Sequence, residues 1–526
     1  MSATSGSTPE PMHPRDHLGA DPARPALVMA GSGEALSFAA LDRQASKWAQ
    51  LFRRHGLKAG DRVALWMGND PRFFALCWAA HNSGLYYVPI SSRLTPREAA
   101  FIANDSGARL VVADARPDRA AFAAALDDAE ILPLDGEQTA RELADSPDMP
   151  IADEVRGAAM LYSSGTTGRP KGIIPARDHV PSETPTAVTE ALVRLYGFDT
   201  GTIYLSPAPF YHAAPLKFVM AVQAAGGTVV AMERFDAEAA LAAIERHRVT
   251  HSQWVPTMFI RLLGLPEAVR GRYDLSSQTM AIHAAAPCPV PVKERMLGWW
   301  GPIIHEYYGG SESVGMCAIG PAEWLARKGS VGRAARGSIH ILGEDGHDRP
   351  TGETGLVCFD GCTAFRYHGD AAAPALPDGL GTFGDIGHVD ADGYLYLTDR
   401  RDYVINVGGV NVYPQEAENL LSVHPKVRDV AVFGVPHAEL GEEVKAVVQP
   451  ASGCQASPAL ADELIAYCRA RLSSIKCPRS VDFEADMPRE ETGKLVKRRL
   501  KARYWPAGPA AHEVKQDERT GTADVH

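Results

Sequence analysis

The chain has 526 residues, 45% of them hydrophobic and 22% charged, and a formal net charge of −11. That length exceeds a single hydrophobic core and calls for two or more domains. The composition is ordinary for a soluble globular protein, and the acidic balance argues against nucleic acid or an anionic membrane surface as the main partner.

Residues 1–30 begin polar and proline-rich, with no apolar core for a signal peptide, and are expected to form a flexible tail. No stretch approaches the ~18 uninterrupted apolar residues of a membrane-spanning helix. Leu41, Ala45, Trp48 and Phe52 recur at helical spacing and predict a helix over about 38–54. The apolar run from Val63 to Met67 follows, bounded by Gly60-Asp61 and Gly68, and suits a strand buried on both faces. The alternation continues with a helical stretch near 71–83, a strand at 108–114, a strand at 227–232 and a helix after it. Helix and buried strand in turn imply an α/β fold with parallel-rich sheets and packed helices.

Residues 162–172 read YSSGTTGRPKG. Ser163, Ser164, Thr166 and Thr167 offer hydroxyl donors, Gly165, Gly168 and Gly172 allow close approach of backbone, and Lys171 adds a mobile charge. The composition suits polyphosphate. It is not the kinase or GTPase loop G-x-x-x-x-G-K-[ST], because Pro170 stands where the second glycine belongs and Gly172 where the metal-binding hydroxyl belongs. A metal ligand would have to come from elsewhere in the chain.

HEYYGGSES, residues 305–313, joins two aromatic rings, two glycines and the carboxylate of Glu312, an oxygen ligand suited to Mg²⁺. In FGDIGHVDADGYLYLTDRRD, residues 383–402, Asp385 lies beside a glycine, and Arg400 follows a strand-like run. Asp392-Gly393 reads as turn chemistry in a hairpin. The pattern changes near residue 400, where a compact module of about 100 residues begins with its own strands and helices, so a boundary is expected at 399–403. Within it, MPREETGKLVKRRLKAR sets Lys494 apart on a loop. Residues 506–526 are again polar and expected to be a flexible tail. The eight cysteines show no C-x-x-C spacing and are read as reduced thiols of a cytoplasmic protein.

In this order YSSGTTGRPKG, YYGGSE, FGDIG, DRRDYVINVGGVNVYP and PREETGK resemble the successive core motifs of the AMP-forming acyl-CoA synthetases. These belong to the adenylate-forming superfamily, with firefly luciferase and the nonribosomal adenylation domains. The resemblance runs from about residue 30 to 503 and implies a large N-terminal domain over 31–399, a hinge at 400–402 and a small mobile α+β domain over 403–505. It implies two half-reactions, acyl-AMP formation from a carboxylic acid and ATP, then thioester formation with coenzyme A. ATP, Mg²⁺ and coenzyme A are thus the implied cofactor and co-substrates.

By the same resemblance Ser163, Ser164, Gly165, Thr166, Thr167, Gly168 and Lys171 hold the β- and γ-phosphates. Glu312 holds the metal, Tyr308 and Gly309 meet the adenine, and Ser311 keeps the hydroxyl of the family's threonine. Ala284, Ala285 and Ala286 form the adenine turn, with alanine at 284 where glycine is common, which makes the backbone there a point to check. Asp385 and Arg400 hold the ribose, Lys494 bridges carboxylate and α-phosphate, Asp402 is the pivot, and Gly408 and Gly409 line the pantetheine channel. His212 matches a position between acyl pocket and thiol channel, against the alternative of a core histidine.

The acyl pocket is then lined by His212, Ala213, Ala214, Gly310, Val314, Gly315 and Met316, small and apolar residues that imply a medium-chain, aryl or alicyclic acid. Lys217 points the other way, to a polar tail. No aspartate offers itself for a substrate ammonium, which argues against amino acids. Two other readings compete: loading of a carrier-protein pantetheine, and a non-catalytic nucleotide-binding relative. The absence of a fused carrier domain argues against the first, and the presence of both Glu312 and Lys494 against the second. A homodimer is compatible with the sequence.

Overall fold

The computed structural model describes residues 12–19, 21–116, 118–163, 170–361, 365–369, 376–489 and 495–505. The chain divides into two compact units between Asp402 and Tyr403.

In the first unit the helix Phe38–Arg54 forms where the apolar period lies. Ser37 caps it by accepting from the Ala40 amide, and Leu41, Ala45, Trp48 and Phe52 are all buried along one face. Each large side chain buried this way contributes about 1.5–3 kcal/mol. The helix Phe73–Asn82 is buried on every side, so its sequence shows little amphipathic signal. An all-parallel sheet of five strands runs Glu130–Pro133, Leu110–Ala113, Arg62–Trp66, Tyr86–Ile90, Ala158–Ala159.

A thirteen-stranded sheet carries most of the site. From Pro25–Met29 through Thr228–Ala231, Ile203–Ser206, His251–Trp254 and Met280–His283 to Ile304–Gly309, neighbouring strands are parallel. From Ile304–Gly309 onward, through Met316–Ile319, Ser330–Arg336, Leu395–Arg400, Gly381–Val389, Gly355–Phe359 and Ile339–Leu342, they are antiparallel. Tyr308 therefore stands on the strand where one pattern gives way to the other. A separate antiparallel sheet joins Leu161–Ser163, Lys171–Pro175 and Phe365–Tyr367.

The expectation of a tail over 1–30 needs correction for its described part. Pro25–Met29 is a strand of the large sheet, with Ala26 and Leu27 fully buried. His13 and His17 are buried as well, His13 against Asn82 and His17 against the Ala224 carbonyl. A segment poor in large apolar groups is ordered here because a distant strand, Thr228–Ala231, supplies its ladder. The hairpin expected at Asp392-Gly393 is present, with Gly393 at φ 83° between Gly381–Val389 and Leu395–Arg400.

The second unit is α+β. Its sheet runs Val410–Val412, Ile405–Val407, Gly441–Pro450, Val427–His437, and Ser480–Phe483 pairs in parallel with Gly441–Pro450. Helices Pro414–Leu421 and Pro458–Arg469 send Leu421, Leu460 and Leu464 into its core. Glu418 is buried there because it accepts from the Val432 amide at 2.6 Å and pairs with Lys497 at 2.8 Å. Gly408 and Gly409 sit at φ 59° and 86° in the turn between Ile405–Val407 and Val410–Val412. Two positive φ values are what a two-residue hairpin turn of matching twist requires, so backbone geometry alone explains both glycines. No helix among the described residues is long and apolar enough to cross a membrane.

Candidate active site

Ser163 and Lys171 are cross-strand partners, and residues 164–169 between them lie outside the described residues. Lys171 and Tyr367 come from adjacent strands, and the Lys171 Nζ lies 5.6 Å from the Tyr367 ring centre. The Tyr367 hydroxyl in turn donates to Glu312 Oε1 at 3.4 Å. Burial, with Glu312 beside it, pushes the Tyr367 phenol up to about 12, so it stays a donor at neutral pH. Tyr367 thus links the expected phosphate-loop lysine to the expected metal ligand. Sequence reasoning missed it, and its motif, FRYHG, carries no signal on its own.

Asp385 and Arg400 face each other across the hairpin. Asp385 is 8% exposed and accepts from the Tyr308 hydroxyl at 2.5 Å and from Arg400 Nε at 3.1 Å. Burial and then Asp385's charge push the Tyr308 phenol far above its usual range. The structure thus brings three residues named from two separate motifs into one hydrogen-bonded set. The Tyr308 ring packs edge-on to Phe383, with centroids 5.5 Å apart. Phe383 is therefore part of the wall around Tyr308.

In the adenine turn the strained residue is Ala285, at φ 76°, whereas Ala284 is buried and has no positive φ. The alanine at 284 thus needs no unusual backbone; the left-handed cost of about 1–2 kcal/mol falls one residue later. Beneath the turn, His283 and Glu306 are strand partners. Lys293 Nζ reaches Glu306 Oε2 at 2.5 Å and lies over the Trp324 ring at 4.6 Å. Burial alone would raise the Glu306 carboxyl, but His283 and Lys293 pull it down to about 2, while burial lowers His283. Lys293, His283 and Glu306 together tie the 284–286 turn to the Tyr308 strand.

Glu312 is half-buried on the segment between Ile304–Gly309 and Met316–Ile319. Among the described residues no cluster of three or more His, Cys, Asp or Glu side chains could cage a metal. One carboxylate nevertheless fits Mg²⁺, which keeps several waters and shares substrate phosphates.

His212 precedes the helix Ala213–Ala224. Its Nε2 is buried without a hydrogen-bond partner among the described residues. Burial lowers its pKa to about 4, so the ring is neutral at pH 7. Lys217, on the same helix, donates to Ser313 Oγ at 2.9 Å. Burial lowers the ammonium to about 8; Glu312 opposes that shift and Arg336 adds to it. Not every small residue opens space. A side chain at Gly310 would meet Phe383 at 2.5 Å and one at Gly315 would meet Phe359 at 2.1 Å, so the protein's own rings fill both places. Lys494 lies outside the described residues, as do Ser164, Gly165, Thr166, Thr167 and Gly168.

The buried histidines also set an acid limit on stability. His81, bonded to the Ser182 carbonyl at 3.1 Å, is lowered to about 3, chiefly by burial. His81 and His212 ionise near 6.5 once unfolded, so below that pH the unfolded chain binds more protons than the folded one. Stability is then full above pH 6.5 and falls by about 1.4 kcal/mol per pH unit for each histidine on acidification. Urea midpoints at pH 7 and pH 5 should show that fall, and His81→Gln should flatten it. A midpoint insensitive to pH in this window would mean these rings are not held neutral.

The large unit thus gathers Tyr308, Asp385 and Arg400 into one hydrogen-bonded set, and a small α+β unit follows it in the chain. The chain matches the AMP-binding enzyme family over residues 15–367 and that family's C-terminal domain over residues 416–494. It belongs to this family. It is 33% identical to a feruloyl-CoA synthase of Amycolatopsis sp, covering 91% of this chain and 96% of that one. It is 30% identical to the fatty acid–[acyl-carrier-protein] ligase ScoC of Streptomyces coeruleorubidus, covering 95% and 96%. Its fold is similar to ATP-bound MatB from Rhodopseudomonas palustris, with TM-score 0.78 and 27% identity over 92% of this chain and 96% of that one.

Proposed function

We propose that the chain is an ATP-dependent carboxylic acid–CoA ligase acting on a hydrophobic acid. A substrate carboxylate oxygen attacks the α-phosphorus of ATP and pyrophosphate leaves. The thiol of coenzyme A then attacks the acyl carbon, and AMP leaves with the bonding pair. The observation that carries this reading is the Tyr308–Asp385–Arg400 set beside Glu312. Asp385 and Arg400 hold the ribose, Tyr308 with Gly309 and the 284–286 turn hold the adenine, and the 163–171 segment holds the leaving phosphates. Glu312 holds Mg²⁺, which neutralises phosphate charge when bound. His212, neutral, and Ala213 and Ala214 border the acyl group, with Val314 and Met316 on the facing wall. The names of the feruloyl and fatty-acid relatives support a hydrophobic acid. The seven described cysteines are all unbridged, which supports the cytoplasm as its compartment.

A panel of acids scored by pyrophosphate release tests the reading. Octanoate or cinnamate should exceed acetate in kcat/KM, and AMP should turn over only when coenzyme A is added. Acetate as the best substrate would sink the hydrophobic-acid reading. A second reading, an acceptor pantetheine on a carrier protein, is favoured by the name of the ScoC relative. AMP turnover on a holo-carrier protein but not on free coenzyme A would select it.

One active site must offer different residues to the two half-reactions, and the division of the chain after Asp402 supports a pivot there. Proline at 402 fixes φ and restricts the residue before it. Asp402→Pro is expected to keep acyl-adenylate formation and lose most thioester formation. Equal loss of both would mean a damaged junction instead of a blocked swing.

A further inference from the structure

Lys217 is the one charged residue of the helix Ala213–Ala224. Its ammonium is partly buried. It crosses from the helix wall to the facing segment and donates to Ser313 Oγ at 2.9 Å. Ser313 is itself held in place: its carbonyl accepts from Arg336 Nη1 at 3.1 Å, and its backbone is in the left-handed region at φ 55°. Outside glycine that conformation is uncommon and persists only where the surroundings enforce it. Among the described residues no carboxylate oxygen lies within ion-pair distance of Lys217. A cation partly withdrawn from water without a carboxylate partner carries a desolvation cost, and a neutral hydroxyl recovers little of it. Glu312, the nearest acidic neighbour by its effect on Lys217, is committed to the metal when ATP is bound.

We infer that Lys217, seated on Ser313, is a specificity-determining residue that selects acids carrying a second oxygen group, anionic or strongly accepting, away from the reacting carboxyl. The inference rests on the ligase reading and narrows its substrate class. Phe359 and Phe383 occupy the space beside Gly315 and Gly310, so this wall of the site is rigid and aromatic. An acid with an apolar body and an oxygen at its far end matches both features: the body packs on the rings, and the oxygen takes the place of an ion-pair partner that the described residues do not supply. A simple alkyl acid satisfies only the first, and it leaves the ammonium covered and unpaired.

Two matched pairs of acids test this: suberate against octanoate, and 4-hydroxycinnamate against cinnamate. The wild-type protein should prefer the oxygen-bearing member of at least one pair by about tenfold or more in kcat/KM, since a site built to bond an oxygen rejects the analogue lacking it. Lys217→Met should reverse that preference. The oxygen-bearing acid should fall about 30-fold or more, and the plain acid should gain, because a buried charge has left its path. Ser313→Ala should shift the ratio in the same direction by less. Calorimetric Kd values for the same acids should show the same reversal, so a weakly active preparation still answers. Preference of the wild type for the plain acid in both pairs would overturn the inference. So would an equal loss for all acids in Lys217→Met, which would place the lysine at the reacting carboxyl or in the fold. Absence of pyrophosphate release with every acid, by contrast, would sink the ligase reading, and the Kd ratios would still decide the inference.

Discussion

Asp385→Ala is expected to lower kcat/KM for ATP by about 10²–10⁴-fold, with the loss mainly in ATP binding. That magnitude follows if the carboxylate accepts two charge-assisted hydrogen bonds from ribose, each worth about 1.5–3 kcal/mol. A second effect is internal. Tyr308 donates its hydroxyl to Asp385 at 2.5 Å, and Arg400 Nε does so at 3.1 Å. Alanine strands a phenol that is largely buried, which costs about 1–3 kcal/mol and loosens the ring beside the adenine. Asp385→Asn separates the two effects. Its carbonyl can still accept from Tyr308, but its amide meets the Arg400 donor. Asparagine should therefore keep thermal stability near that of the parent and still lose most ATP affinity. The measurement is the ATP KM and the melting temperature of both variants. An unchanged ATP KM in both would remove Asp385 from ribose binding and leave it as a brace for Tyr308.

Local chemistry was legible in the sequence wherever one segment carries the whole message. Leu41, Ala45, Trp48 and Phe52 state the helix Phe38–Arg54 by period alone, and Asp392-Gly393 states its own turn. Asp385 and Arg400 were readable as a pair because only a hairpin separates them. Tyr367 was not readable, since its role depends on a strand pairing with Lys171–Pro175 almost 200 residues earlier and on Glu312 from a third segment. The described part of the N-terminal segment escaped for the same reason: Pro25–Met29 looks like a tail until Thr228–Ala231 lies beside it. Gly310 and Gly315 misled in the opposite way. Small residues suggest volume, but Phe383 and Phe359, 73 and 44 positions further on, fill it. Sequence shows what a position permits, and distant packing decides what occupies it.

The largest effect is expected at Lys494. It follows Gly493 and precedes the basic stretch Lys497 to Arg499, and by its place in PREETGK it would meet the carboxylate and α-phosphate oxygens during adenylation. Negative charge on those oxygens is redistributed as the acyl–phosphate bond forms, so a positioned ammonium lowers the barrier in that step and not in thioester formation. Lys494→Ala should lose several powers of ten in acid-dependent pyrophosphate release, in line with removing a transition-state charge contact worth about 3–5 kcal/mol. It should keep most of its thioester yield from synthetic acyl-adenylate and coenzyme A, because a residue that serves one half-reaction need not serve the other. An exposed lysine with no such role would show neither effect, since a surface charge contributes at most about 1 kcal/mol. The two assays on one variant divide the outcomes. Pyrophosphate release close to that of the parent would remove Lys494 from the chemistry. A parallel collapse of both assays would assign it to binding a group common to the two steps, the adenylate itself.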